Sequence, residues 1–517
     1  MLHWLLILLL SLSLTACQPA DAGTTLPSPD EAAETVETEP AELPPTLFDD
    51  FFEARRALYR LEDIDLPLKY YSPESYENFR AVRESTDAAM KKIPSDGGEE
   101  SQRAVEALYQ KLKAARDALE VVRGDTPRVY IIKDDAVGWD YSPCTVIVVN
   151  ALGGKYRAVS DTACEISLRG NSTSGAAKAP YNIRFQARVS LLGMERGRKW
   201  SLLANLYDKT MMRNVLAYTL AADMGLPYTS DCRVVEVYLN GDYQGNYTLI
   251  EPVTDGRTRV DIDIEADDFL FEVDMNRNDG SYYFKPKYGQ RMKVTKPEKV
   301  SSAGRTYLKN FFEEMETALA THDMAQYGKY IDVDSFVNFY IHSEVTKSID
   351  VYDFSTRYFL KDGKFYAGPV WDYDLSMGNV SETCNEDKYF TYCNVRGFGT
   401  KSGDSSEGVW MDNYWFHELL GDPAFRDRVR ERFEEIFPVL ENLYRSNELG
   451  PSRIDDLMRQ YGDSFRRNYT DAPWNELQRY SGLAKNETLP FGEEVEWLRG
   501  WLMRRVQNVA FALLEMD

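Results

Sequence analysis

The chain has little of what usually announces metal or redox chemistry. Its 517 residues include four histidines and six cysteines, and no Cys-x-x-Cys pair occurs. A structural zinc site draws on clustered Cys and His ligands, so that class is not supported. Positive charge is also in short supply: 60 Lys and Arg stand against 83 Asp and Glu, a net charge of -23. A general nucleic-acid binder carries the opposite balance. Past the N-terminus, no run approaches the roughly 20 apolar residues of a membrane helix. What remains suffices for real cores, with 43% hydrophobic and 13% aromatic residues in a chain long enough for more than one domain.

The N-terminus reads differently. Trp4 to Leu14 is almost wholly apolar and too short to span a bilayer, and it ends in Leu14-Thr15-Ala16-Cys17. This resembles a bacterial lipobox, although His3 and the α-amine are the only cationic groups before it. Residues 1–16 are therefore expected to be a lipoprotein signal peptide and Cys17 the lipidated residue. The protein would be exported, anchored to the cell membrane by lipid alone and facing outside the cytoplasm. Residues 17–48 follow as a disordered acidic tether, since Gln18 to Phe48 holds seven acidic residues and no Lys or Arg. The other five cysteines are an odd number, so at least one thiol lacks an intrachain partner. Cys384 and Cys393 flank a short loop and suit a disulfide.

Residues 49–124 read as a small helical bundle. Ser72-Pro73 forms a helix start, and Tyr76, Phe79, Val82, Thr86, Met90 and Ile93 follow at helical spacing. Val105, Leu108, Leu112, Ala115, Leu119 and Val122 form a second stripe. The "YYSPESYENF" opening resembles the FIVAR modules of secreted bacterial surface proteins. That likeness implies a spacer, or a module that contacts cell wall or glycan.

From Thr126 the texture turns to strands: "VYIIK", "CTVIVVN", "CEISLRGN", "YNIRFQ" and "DFLFEVD". Asn240-Gly241 and Asp362-Gly363 mark hairpins. Helices are expected over Ser302–Leu319, over Asp334–Val345 and through most of the chain after Asp422. The reading is an α+β chain, β-rich to about residue 300 and helical beyond, in two lobes with a cleft between them.

Three stretches carry chemistry. "LRGNSTSGAAKAPYNIRF" is a Gly-Ser loop between strands, suited to phosphate oxygens, with Arg169, Asn171, Ser172 and Lys178 in or beside it. Arg169 to Arg213 holds nine basic and two acidic residues, a basic island in an acidic chain. Arg213 lies early in a helix, within reach of a ligand. "SIDVYDFSTRYFLKDGKFYAGPVWDYD" brackets a hairpin with Asp350 on one side and Asp372 and Asp374 on the other. Paired carboxylates at a core's rim suit Mg²⁺, and a third carboxylate can accept a hydroxyl proton in phosphoryl transfer. Hairpin-end aspartates that only cap turns are the plainer alternative.

Four blocks together resemble the spore coat protein H (CotH) kinase-like family: "LRGNSTSGAAKAPYNIRF", "WSLLANLYDKTMMRNVLAYTLAADMGLPY", "VEVYLNGDYQGNYTLIEPV" and "GPVWDYDLSMGN". They occur in the family's order, over roughly residues 127–515. The resemblance implies an atypical protein-kinase-like fold that moves the ATP γ-phosphate to Ser or Thr of proteins with Mg²⁺ or Mn²⁺. By it, Asp350 matches the catalytic base, Asp372 the metal-binding aspartate with Asp374 beside it, and Lys178 a phosphate ligand. Glu251 in "YTLIEP" and Lys296 in "VTKPE" match positions near the nucleotide. Ser355 stands where ordinary kinases place a second metal ligand, usually Asn, which puts a second metal in question. Substrates would be surface proteins, and nucleic acid is not expected as a partner. The competing function is a catalytically silent CotH-type lipoprotein serving adhesion, scaffolding or glycan binding, the last drawing on 33 tyrosines.

Overall fold

The computed structural model describes residues 46–60, 73–118, 126–149, 159–170, 178–274, 279–348, 350–351, 354–379, 414–470 and 489–514. Cys17, Asn171, Ser172, Cys384 and Cys393 lie outside these residues, as do the Ser72 cap and Leu119 and Val122 of the second stripe. The chain divides into two compact units, one holding the N-terminal helices and one everything from Thr126 on. In the first, α1 (Phe51–Arg60), α2 (Pro73–Met90) and α3 (Glu99–Asp117) share a core of Phe51, Leu58, Phe79, Met90, Val105 and Leu112. Phe79, Met90, Val105 and Leu112 are members of the two apolar stripes, and their helical spacing is what brings them to one side.

The second unit opens with a closed barrel. Its strands are β1 (Arg128–Ile132), β2 (Ser142–Val149), β3 (Val159–Leu168), β4 (Tyr181–Val189), β5 (Gly197–Leu203), β6 (Cys232–Leu239) and β7 (Asp242–Ile250). The order around the barrel is β1-β2-β3-β4-β5-β7-β6. Neighbours are antiparallel except β1 and β6, which close the ring in parallel. Alternate residues point inward, and Val146, Ile166, Ile183, Trp200, Val237 and Leu249 fill the interior. The β6–β7 turn uses Asn240 and Gly241 at φ 49° and 85°, the left-handed pair that a two-residue hairpin demands. Between β5 and β6 runs α4 (Arg213–Asp223), whose Val215, Leu216 and Leu220 are buried, as is Met212 just before it.

A second sheet runs in the order β12-β11-β8-β10-β9. It joins β8 (Phe269–Asp274), β9 (Tyr283–Phe284) and β10 (Met292–Lys296) to β11 (Phe354–Lys361) and β12 (Lys364–Ala367). This one sheet draws strands from both sides of residue 300. β8, from the β-rich part, pairs directly with β11, from the helical part. The arrangement is a barrel plus a helix-covered sheet, with no simple split into a β lobe and a helical lobe.

Helices α5 (Ser302–Leu319), α6 (Met324–Tyr327), α7 (Val333–Thr346), α8 (Tyr414–Gly421), α9 (Pro423–Asn442), α10 (Arg453–Thr470) and α11 (Phe491–Leu514) complete the unit. α5 and α7 begin at Ser301 and Asp332, whose side chains accept from the N–H groups of Gly304 and Ser335. α7 is buried on every side from Ser335 to Thr346, which makes it the spine of the large core. Phe271, Phe312, Phe336, Tyr358, Phe365 and Trp415 meet there. Among the described residues, no helix is long and apolar enough to cross a membrane.

Candidate active site

β12 ends at Ala367, and the chain then passes a cis Gly368–Pro369 bond to reach Asp372. Asp372 adopts φ 68°, a left-handed conformation that a non-glycine residue keeps only when its surroundings hold it. The surroundings are specific. The Asp372 N–H donates to the Tyr218 hydroxyl of α4 at 3.2 Å. The Tyr373 N–H donates to Asn214 Oδ1 at 2.8 Å. Asn214 in turn donates to Asn205 at 3.0 Å, and Asn205 to Thr248 of β7 at 3.0 Å. A run of buried amides thus ties the carboxylate-bearing segment to the barrel.

The segment's far side is tied as firmly. Asn379 donates from Nδ2 to the carbonyls of Asp374 and Tyr207, each at 2.7 Å. The Met377 N–H donates at 2.6 Å to the carbonyl of Thr346, the last residue of α7. Arg213 reaches the same loop, donating from Nε to the Ser376 carbonyl at 3.0 Å. Its Nη1 donates to Asp208 Oδ1 in a fully buried ion pair. Asp208 also accepts from the Arg213 N–H, the Thr210 N–H and the Thr210 hydroxyl at 2.7, 2.9 and 2.7 Å. Gly378, at φ 78°, lies under Trp497 and Trp501, where a Cβ would come within 2.5 Å of the first ring.

This scaffold brings carboxylates together. The Asp374 carboxyl is pushed well above its ordinary range, first by burial and then by repulsion from Asp372, Asp350 and Asp208. A cation close to Asp372 and Asp374 is Arg169. Half-buried just past the end of β3, it stacks over Trp371 at 5.4 Å. Burial lowers its pKa, while attraction to Asp372 and Asp374 raises it. Ser355 directs its hydroxyl at Asp372 Oδ2 across 3.4 Å, a long contact. Asp350 precedes β11, and its carbonyl accepts the Phe354 N–H at 2.9 Å. Asp350, Asp372, Asp374 and Arg169, separated in sequence, therefore share one electrostatic neighbourhood. Among the described residues, no three Asp, Glu, His or Cys side chains converge closely enough to hold an ion unaided. A divalent ion here would need water or ligand oxygens as well, which is the ordinary habit of Mg²⁺.

The remaining candidates have protein partners of their own, and Lys178 also feels the charge of Asp208. Lys178 is buried against the barrel, donating to the Asn246 carbonyl at 2.7 Å and to Asn468 of α10 at 2.8 Å. Its ammonium lies 4.9 Å from the Tyr247 ring, and burial holds its pKa well below the usual lysine range. Arg213 spends its guanidinium on Asp208 and the Ser376 carbonyl, so it supports the loop. Glu251 pairs with Arg259 at 2.9 Å, and burial pushes its carboxyl up to about 7. Lys296 pairs with Asp255 at 3.1 Å and Glu298 at 3.3 Å. Asp208, Asn214 and Tyr218 are the parts that motif reading did not single out for the site. The signal available was Asp208 shortly before Arg213, but that aspartate reads as a helix start.

The site is thus a mixed fold's loop region in which Asp350, Asp372 and Asp374 lie near Arg169. The family profile described as CotH kinase protein matches residues 166–509, well over half of the chain, and the chain belongs to that family. A solved structure described as a Helicobacter pylori proinflammatory kinase, CtkA, is similar at 7% identity and a TM-score of 0.25. That match covers 75% of this chain and 96% of that one. No curated protein matches.

Proposed function

We propose that this CotH family member is a phosphotransferase that moves the γ-phosphate of ATP to a Ser or Thr hydroxyl of a protein. The observation that carries this reading is the crowding of Asp350 and Asp372 around the buried Asp374, the charge of Asp208 being met by Arg213. Such a cluster suits a divalent cation, and Asp372 and Asp374 are the residues proposed to hold it. Bound Mg²⁺ or Mn²⁺ would neutralise phosphate charge. Arg169 is proposed to contact phosphate oxygens from the opposite side, its guanidinium oriented by Trp371. Asp350 is proposed to take the proton of the acceptor hydroxyl. Glu251 and Lys296 have partners of their own, and Lys178 is proposed to secure the barrel against α10. With Cys17 as a lipid anchor, the substrates would be proteins outside the cytoplasm.

The test is phosphate transfer from γ-labelled ATP by the purified full chain, with Mg²⁺ or Mn²⁺ and a Ser/Thr-rich acceptor such as casein. Wild type is expected to label itself or the acceptor. Asp350→Asn is expected to bind ATP with wild-type affinity and to transfer at least ~100-fold more slowly, the lower end of what a general base contributes, roughly 10²–10⁴-fold. Equal transfer by wild type and Asp350→Asn would remove the assigned base. No transfer by folded wild type with either cation would contradict the reading.

A further inference from the structure

Cys144 on β2 and Cys164 on β3 are direct cross-strand partners in the antiparallel ladder. Both side chains point into the barrel interior, at 8% and 3% exposure, and are members of its apolar core. Their sulfurs lie 3.4 Å apart, and both are present as thiols. Two adjacent buried cysteines can simply fill space as small apolar groups. This pair has more than proximity. Directly opposed residues in an antiparallel pair have Cα atoms about 4.5–5.5 Å apart, inside the range that a disulfide spans. Side-chain rotation then has to bring the sulfurs to about 2.05 Å. A hydrogen bond joins the two sulfurs, and either can be its donor.

We infer that Cys144 and Cys164 are a modification site, closing into a cross-strand disulfide inside the barrel when the chain folds in the presence of a disulfide oxidant. The thiolate of either cysteine attacks one sulfur of the oxidant and releases one equivalent of thiol, leaving a mixed disulfide. The other thiol loses its proton, attacks the first cysteine's sulfur and releases the second equivalent. The protein loses two protons and two electrons, and the oxidant gains them as two thiols. The position has a consequence for the site. β3 ends at Leu168, so the staple would pin the strand that delivers Arg169. The strand's exit is already held, with the Leu168 N–H on the Gly138 carbonyl at 2.7 Å and the Arg169 N–H on the Pro180 carbonyl at 3.2 Å.

The experiment uses the full chain, unfolded and reduced, then refolded in glutathione buffers of graded redox ratio. Samples are quenched in acid, unfolded with an alkylating agent, digested and mapped by mass spectrometry. Refolding from the reduced chain removes burial as a kinetic barrier to the oxidant. The expected result is a linked pair of peptides containing Cys144 and Cys164, lighter by two hydrogens than the reduced pair. That species should dominate in oxidised buffer and give way to two alkylated cysteines as reduced glutathione increases. Alkylation of both cysteines at every ratio would overturn the inference. So would linkage of either one to Cys232, Cys384 or Cys393 in preference to the other.

Discussion

Arg213→Met removes the guanidinium that joins α4 to the carboxylate-bearing loop while keeping much of the side-chain volume. Arg213 is 1% exposed and Asp208 0%, so the pair is shielded from bulk solvent. Asp208 would keep three donors, the N–H of residue 213 itself and the two groups of Thr210, but lose its counter-charge. Breaking a buried ion pair from one side costs about 3–5 kcal/mol, and the three surviving donors argue for the lower part of that range. The Ser376 carbonyl also loses its donor, worth about 1 kcal/mol or somewhat more. The expected total is about 4 kcal/mol, measured by urea unfolding followed by tryptophan fluorescence. The double variant Asp208→Asn with Arg213→Met replaces the pair by neutral groups and should recover at least half of that loss. A single-variant loss below about 1 kcal/mol would refute the claim that this pair anchors the loop, and so would a double variant whose loss equals the sum of the two singles.

Three further outcomes follow from the same geometry. Burial holds His342 neutral, with its pKa lowered to about 4, its Nε2 2.9 Å from the Ala217 carbonyl and its ring against Tyr373. The folded state therefore binds fewer protons than the unfolded one between the two pKa values, and about 3 kcal/mol of stability should drain as pH falls from about 6.5 to about 4. Glu251 works in the opposite sense, losing its contribution as pH rises toward 7, so the quantity to measure is wild type minus His342→Gln across this range. Asp374→Asn should be more stable than wild type at pH ~8 without divalent cation, because a raised carboxyl loses stability as pH rises through its folded pKa. The same variant should lose any thermal stabilisation by Mn²⁺, and identical melting of the two proteins at pH ~5 and pH ~8 would count against the crowding of carboxylates. Gly378→Ala meets Trp497 and Trp501 at φ 78°, and should cost at least about 2 kcal/mol in urea unfolding.

How far the sequence could be read depended on the range of the interaction. Both hairpin turns were legible, because a left-handed Asn-Gly or Asp-Gly pair is a local demand of the backbone. α5 and α7 were legible because each is a long apolar-rich run behind a capping Ser or Asp, again a local signal. Closure of the barrel was not, since it rests on β1 pairing with β6 from far along the chain. Nor was the pairing of β8 with β11, strands about 80 residues apart in the chain. The site divides along the same line. Asp372 and Asp374 could be read as a pair from one short segment, while Arg169 came from the Gly-Ser loop and the base role of Asp350 from the family resemblance. The partners of Glu251 and Lys296 could not be read, because Arg259 and Asp255 reach them through turns whose shape no periodicity reveals. The opposition of Cys144 and Cys164 was hidden as well, since strand register is decided by the whole barrel.

The central claim is that the Asp372 segment holds a divalent cation against the phosphates of ATP. Isothermal titration of ATP into the full chain, with and without Mg²⁺ or Mn²⁺, beside Asp372→Asn, tests it most directly. The account predicts cation-dependent binding by wild type that weakens at least about tenfold in the variant, with both proteins unfolding cooperatively in urea. Binding that ignores the cation, or that survives Asp372→Asn unchanged, would contradict it, as would no binding at all by well-folded wild type.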